Sequence, residues 1–412
     1  MPLRLDGHGY SPTVLRMICS AAGRLQSCAD AAFALELADV GISSRHVGRI
    51  ASEIGAEMAA LRDEKVIQQR RRELPVRVPA APEAVAVEVD GGRVRTREVG
   101  KGPGVHEQQN KEDKIACLVT LSAQEEHQDD PQPGPPESFL EPRRVQRLVQ
   151  QMQGQAAGDR PPQEEDVQGD ASTAGREGQG QGPRRGSPVK RVRACVASMA
   201  TSREFGPMMA AEAQERGFYQ AKKRAFLADG AAYNWTIQRG YFPDFEPIND
   251  FLHVLCYVYL AAWGVGADEE ARWRIYVGWL LACWQGRVRE VIEELRLWQG
   301  RIGEPPQGEE LDAKDPRRLV AEALSYLSNN QSRMDYPRYR KEGLPITSSL
   351  AESLVGEFNA RLKSKQKYFN RPDGAEAILQ LRAAVLSEDG RLERFFEQRP
   401  GNPHRRPRRR AA

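Results

Sequence analysis

The stretch VAVEVDGGRVRTRE, Val85 to Glu98, decides how the chain is built. Apolar residues run up to Asp90, two glycines follow, and an extended, arginine-rich run leaves. The pattern predicts a β-hairpin turning at Gly91-Gly92, with a carboxylate at the end of its first strand. Asp-Gly is also an ordinary hairpin turn pair that needs no chemistry of its own. Whether Asp90 is more than a turn residue depends on what the rest of the chain brings to it.

At 412 residues the chain is long enough for two or three domains. A hydrophobic content of 40% and a mean hydropathy of -0.62 are polar for a packed protein. The net charge is only +3, but it is unevenly placed, which matters more to a polyanionic partner. Six scattered cysteines without a CxxC pair argue neither a zinc module nor a disulfide framework, and fit a reducing cytosol. No signal peptide and no run of about 18 apolar residues is present, so a soluble, cytoplasmic protein with no membrane partner is expected.

Ser11-Pro12 predicts a capped helix start, followed by Val14, Leu15, Ile18, Ala22 and Leu25 at helical spacing. A second helix covers Asp30 to Ala38, and after Val40-Gly41-Ile42-Ser43 a third reads SSRHVGRIASEIGAE. This is the outline of a helix-turn-helix at about 30–57, in which Ser44, Arg45, His46 and Arg49 would reach bases or phosphates of DNA. An ordinary helical hairpin has the same outline. Beyond the hairpin, KIACLVTL (114–121) predicts a third strand, and RVRACVASMA and the residues before Asp229 predict two more. Another strand, Pro247 to Asp250, runs into a helix carrying His253. Strand–helix alternation after an antiparallel start implies an α/β fold, a mixed sheet flanked by helices.

Between the third and fourth strands, residues 127–189 are rich in Gln, Glu, Gly and Pro and predict a low-complexity, mostly disordered linker, with one short helix at Arg143 to Met152. From Val254 to about Leu324 the chain is helical, and its tryptophans at helical spacing predict core rather than base stacking. A long helix is expected from near Ser349. Arg340, Lys363 and Lys365 belong to a basic crowd at its two ends, and the basic tail 399–412 suits sequence-independent phosphate contact. Arg93 and Arg95 alternate along the outgoing strand of the hairpin and share a face that would meet phosphates.

Four acids stand out by context: Asp90, Asp229, Asp250 and Glu352. Asp90 and Asp229 each follow an apolar strand and precede glycine. Oxygen-only ligands suit Mg²⁺ or Mn²⁺ rather than zinc, and three converging carboxylates would hold two such ions. Each acid also has a plainer use. Asp229-Gly230 reads as a turn, and Ser349-x-x-Glu352 as a capping box.

VDGGRVRTRE, FLADGAAYNW, FPDFEPINDFLHVL and RMDYPRYRKEGLPITSSLAES together resemble bacterial insertion-sequence transposases with the DDE triad, of the Mutator-like group. The resemblance covers roughly residues 30 to 400, and the long linker departs from it. It implies a ribonuclease H-like core with an all-helical insertion before the last acid, and an N-terminal helix-turn-helix. The expected segments are a helical DNA-binding region at 1–72, core at 84–126, linker at 127–189, core at 190–254, insertion at 255–345, core at 346–398 and a basic tail at 399–412. It implies Asp90, Asp229 and Glu352 as the catalytic, metal-holding acids, with Asp250 and His253, spaced D-x-x-H, as an accessory motif. An alternative alignment makes Asp250 the second acid. The implied reaction cuts element ends in the presence of two Mg²⁺ or Mn²⁺ ions and joins the 3′-hydroxyl to target DNA. Terminal repeats and target DNA are the implied partners, and pairing two ends implies a homodimer or larger assembly on DNA. The competing classes are a non-catalytic DNA-binding protein and a ribonuclease H-like nuclease that cuts without joining.

Overall fold

The computed structural model describes residues 8–96, 109–122, 124–157, 188–306, 308, 311–348 and 372–399. Serines start the first three helices. Ser11 accepts from the Val14 amide at the head of α1 (Pro12–Arg24), Ser27 from Asp30 at α2 (Cys28–Glu36), and Ser43 from His46 at α3 (Ser44–Arg70). Each cap satisfies an amide that the first helical turn cannot, stabilising the start by about 1 kcal/mol. Helix α3 runs well past the expected end near residue 57.

Among the described residues the sheet has five strands: β1 (Ala84–Thr96), β2 (Gln109–Leu121), β3 (Lys190–Ser198), β4 (Lys223–Ala228) and β5 (Glu246–Asn249). Their order is β3-β2-β1-β4-β5. β1 is antiparallel to β2, and β2 to β3, while β4 lies parallel to β1 and β5 parallel to β4. Two readings of the sequence are corrected. Gly91-Gly92 is not a turn, because both glycines stay in β1, opposite Lys114 and Asp113 of β2. The 114–121 segment is accordingly the second strand, not the third. The apolar run stops at Asp90, but the strand does not reverse there.

Alternation along β1 divides the interior in two. Ala84 and Ala86 face a cluster holding Leu15 and Ile18 of α1, Val47, Ile50 and Ile54 of α3, Phe251 and Leu255 of α7 (Phe251–Val265), and Leu379 and Leu381 of the helix Pro372–Leu386. Val85, Val87 and Val89 face Phe205 and Met209 of α5 (Ser202–Glu215) and Trp235 and Ile237 of α6 (Ala232–Tyr241). Each fully buried side chain of this size contributes about 1.5–3 kcal/mol. The N-terminal helices therefore share one core with the sheet.

The expected linker is partly corrected. Residues 127–157 pack on the fold, with Val145 and Val149 of α4 (Pro142–Ala157) buried. The Tyr276 hydroxyl donates to the Phe139 carbonyl at 2.9 Å, and the Trp284 indole N–H donates to the Gln132 carbonyl at 2.8 Å. Residues 158–187 lie outside the described residues. After β5 the chain is helical through α7, α8 (Glu269–Trp284), α9 (Val288–Ile302), α10 (Pro316–Asn330) and α11 (Tyr336–Lys341). Trp279 and Trp284 are buried in the first cluster, with Trp263, Trp273 and Trp298 packed against it, and Trp235 is buried in the second, as the helical spacing predicts. The helices α12 (Pro372–Leu386) and α13 (Arg391–Glu397) close the described chain. No described helix is long and apolar enough to cross a membrane.

Candidate active site

The strand register places the acids. Val89 of β1 pairs with Ala228 of β4, and Ala228 pairs with Asn249 of β5. Asp90, Asp229 and Asp250 each follow that aligned trio, so three carboxylates stand side by side where β1 stops pairing with β4 and where β4 and β5 end, although β1 itself runs on to Thr96. That edge is where open α/β sheets bind ligands.

Their surroundings differ. Asp90 is half-buried and accepts the Gly91 amide at 2.6 Å on Oδ1. Burial pushes its pKa up to about 6; His253 opposes that shift, and Asp229 and Asp250 add to it. Asp229 Oδ1 accepts from the Ala231 amide and from Asn234 Nδ2, each at 2.9 Å. Its Oδ2 makes no hydrogen bond among the described residues. Gly230 follows with φ of +95°, and a Cβ there would lie 2.7 Å from the Tyr326 ring and 2.8 Å from Asn330 Nδ2. Only glycine fits that corner.

Asp250 is fully buried and its oxygens are committed. Oδ1 accepts the Leu252 amide at 3.3 Å and the Ser348 amide at 2.9 Å. Oδ2 accepts the Ser348 hydroxyl at 2.8 Å and faces His253 Nδ1 at 2.8 Å. The Phe251 amide donates to the Ile346 carbonyl at 3.0 Å, a further stitch to the same segment. Burial would lower the pKa of His253, but the bond to Asp250 and the charges of Asp250, Asp229 and Asp90 raise it to about 9. An imidazolium therefore sits among three carboxylates, and with all four groups ionised the cluster carries two net negative charges.

The donor set suits a hard divalent cation in charge and in chemistry, since Asp90 and Asp229 offer only oxygens. Among the described residues no three His, Cys, Asp or Glu side chains converge closely enough to hold a metal. Glu352, the third acid expected from the sequence, lies outside the described residues, as do Lys363 and Lys365. The chain is fixed four residues before Glu352, at Ser348.

The remaining expected contacts divide. Ser44, Arg45, His46 and Arg49 fall in the first two turns of α3, where Ser44, Arg45 and Arg49 are exposed. Arg49 pairs with Glu53 at 3.1 Å, and the His46 ring meets Tyr10 edge-on at 5.6 Å. No hydrogen bond or ion pair among the described residues links these four to the Asp90 cluster. Arg93 and Arg95 lie on β1 opposite Glu112 and Asn110, with side chains outside the described residues. The DNA-contacting role expected of Arg340 is corrected. Arg340 is buried, ion-paired with Asp130 at 2.5 Å, and its guanidinium stacks 4.3 Å from the Trp284 ring centre. Buried rather than facing solvent, it ties Asp130 to the Trp284 carbonyl at the end of α8.

Sequence reasoning missed Ser348, Asn234 and Tyr233. Asn234 lies five residues after Asp229, one turn into a helix, a spacing that returns a side chain to the strand end. Tyr233 OH lies 3.4 Å from where a Gly91 Cβ would stand. Burial above all, and then Asp229, Glu112 and Asp90, raise the pKa of Tyr233, so its phenol keeps its proton. No protein-family model matches the chain, and no curated protein matches it significantly.

Proposed function

We propose that the chain is a DDE-type DNA transposase, which cleaves the ends of an insertion element and joins the freed 3′-hydroxyl to target DNA. The observation that carries this reading is the register. Asp90 follows the last β1 residue paired with β4, and Asp229 follows the end of β4, in a sheet ordered β3-β2-β1-β4-β5. That order, with β2 antiparallel, is what a ribonuclease H-like core requires, and the helices from α8 to α11 stand where the resemblance expects its insertion. The serine-capped start of α3, with Arg45 exposed, supports the helix-turn-helix reading.

In this reading Asp90, Asp229 and Glu352 would hold Mg²⁺ or Mn²⁺, whose chemistry is to activate an attacking oxygen and stabilise a leaving one. The other residues position. Asn234 and the Ala231 amide fix one oxygen of Asp229 and leave the other free. Asp250, with both oxygens engaged, is better suited to anchoring than to holding an ion, which favours Asp229 as the second acid. Through Ser348 it anchors the segment that leads to Glu352, and it orients His253, whose cation lowers the cost of massing carboxylates at one edge.

The test is to incubate the protein with Mg²⁺, labelled element ends and a plasmid target. Joined product supports a transposase, nicks alone a nuclease, and neither a DNA-binding protein without catalysis. Asp90→Asn, Asp229→Asn and Glu352→Gln should each abolish joining and spare DNA binding, whereas normal joining by one of them removes that residue from the triad.

A further inference from the structure

Two arginines lie on the elements that flank Gly230, α6 and the turn after α10. Arg239 is exposed on α6, and Arg333 is half-buried in the turn that follows α10. The Arg333 guanidinium lies over the Trp235 ring, 4.4 Å from its centre. Its Nη1 donates to the Asn329 carbonyl at 3.3 Å, and Arg239 donates to the Thr236 hydroxyl at 3.4 Å. Neither makes an ion pair among the described residues. Their neighbours do otherwise: Arg338 is paired with Glu246 and Glu342, and Arg340 with Asp130. Arg239 stands one turn along α6 from Trp235, the ring that carries Arg333, and its like charge comes after burial among the causes that lower the pKa of Arg333.

The pair is tied to the acid edge by Asn330. The Trp235 indole N–H donates to Asn330 Oδ1 at 2.9 Å, and Asn330 Nδ2 closes over Gly230. Asn234, next to Trp235, holds Asp229. Trp235, buried and held by Asn330, thus fixes one guanidinium near the Gly230 corner, and Arg239 follows one turn later on the same helix. Holding two like charges together costs free energy that an anion between them would recover. Arginine stacked on an aromatic face keeps its donors pre-aligned for a phosphate.

We infer that Arg239 and Arg333, with Arg333 held on Trp235, form a phosphate clamp that grips the DNA backbone beside the Asp90–Asp229 edge. The inference rests on the transposase reading and adds a contact that the triad does not supply. The clamp would seat a phosphate near the one to be cut and carry no sequence preference, as backbone contacts do not.

The test is binding of the full chain to a short DNA duplex of arbitrary sequence in EDTA, over a range of salt concentrations. Arg239→Gln with Arg333→Gln should weaken binding about 10-fold at moderate salt and lower the slope of log affinity against log salt by about 2. Lysine at both positions should restore most of the slope, because it keeps the charge. Arg301, which also lies on a tryptophan (5.1 Å from the Trp298 ring centre) but on α9, is the control, and Arg301→Gln should leave the slope unchanged. Equal melting temperatures establish that the variants fold; should the glutamines unfold the turn, the lysine pair is compared with single Arg239→Gln, whose side chain is exposed. A slope unchanged by the double variant, or lowered as much by Arg301→Gln, overturns the clamp and leaves the transposase reading standing. A wild-type chain that binds no DNA overturns both.

Discussion

Asp250 and His253 were legible as a spaced pair, but the partner that gives the pair its use, Ser348, lies almost a hundred residues away and no local pattern marks it. The His253 pKa near 9 has a consequence for stability. The folded value lies above the ordinary 6.5, so the contribution of the protonated imidazole is fully present below about 6.5. It is lost as pH rises from there through 9. Titrating the imidazole by NMR should show the high value, and Asp250→Asn should bring it down and remove that part of the pH dependence of unfolding. Gly230 makes a second prediction at this scale. Its positive φ and the atoms of Tyr326, Asn330 and Asn249 within 3.0 Å of a Cβ mean that Gly230→Ala should destabilise the fold by roughly 1–3 kcal/mol, read from urea unfolding.

At the scale of elements, the acids at strand ends were readable and the turn was not. An apolar run that stops at Asp-Gly-Gly has the same local signature whether the chain reverses or continues as strand. What keeps β1 straight is pairing with Lys114 and Asp113, a long-range fact. Helix α3 is longer than its apolar pattern suggests because its second half has distant partners. Arg62 pairs with Glu376 of α12 at 2.5 Å, and Lys65 with Glu215 of α5 at 2.6 Å. Where α3 crosses α12, Gly55 packs on backbone, and a Cβ there would meet the Ala377 carbonyl oxygen at 2.0 Å. Gly55→Ala should force the helices apart and lower the urea midpoint, by roughly 1–3 kcal/mol in stability. The turn between α12 and α13 adds a pH effect of the opposite sign. Burial would raise the pKa of Asp389, but bonds and charges of Arg391 and Arg216 hold it at about 2. That contribution is present above about 4 and fades as pH falls toward 2, so acid should loosen this turn early, seen as faster amide exchange.

For the whole molecule, composition separated sheet from helices but placed a boundary at residue 72 that the packing does not respect. Leu15, Ile18, Val47 and Ile54 belong to the same interior as Ala84 and Ala86 of β1. Removing residues 1–72 should therefore expose one face of that core and abolish cooperative unfolding, rather than release a stable catalytic part. Limited proteolysis and thermal melting would show it. The polar segment after β2 misled for a related reason: residues 127–157 have few apolar side chains, but carbonyls and Asp130 give them partners on the helices. The acid edge depends on all these layers, since the sheet sets the register, α7 supplies Asp250 and His253, and the chain returns to it at Ser348.

The most direct measurement is the rate at which the full chain joins a labelled 3′-hydroxyl end to plasmid DNA in Mg²⁺, compared with Asp90→Asn. Burial disfavours the Asp90 carboxylate and outweighs the opposing pull of His253, so losing its charge should leave the melting temperature unchanged or higher. Joining should fall by at least ~10³-fold. Joining by the variant at the wild-type rate would contradict the account.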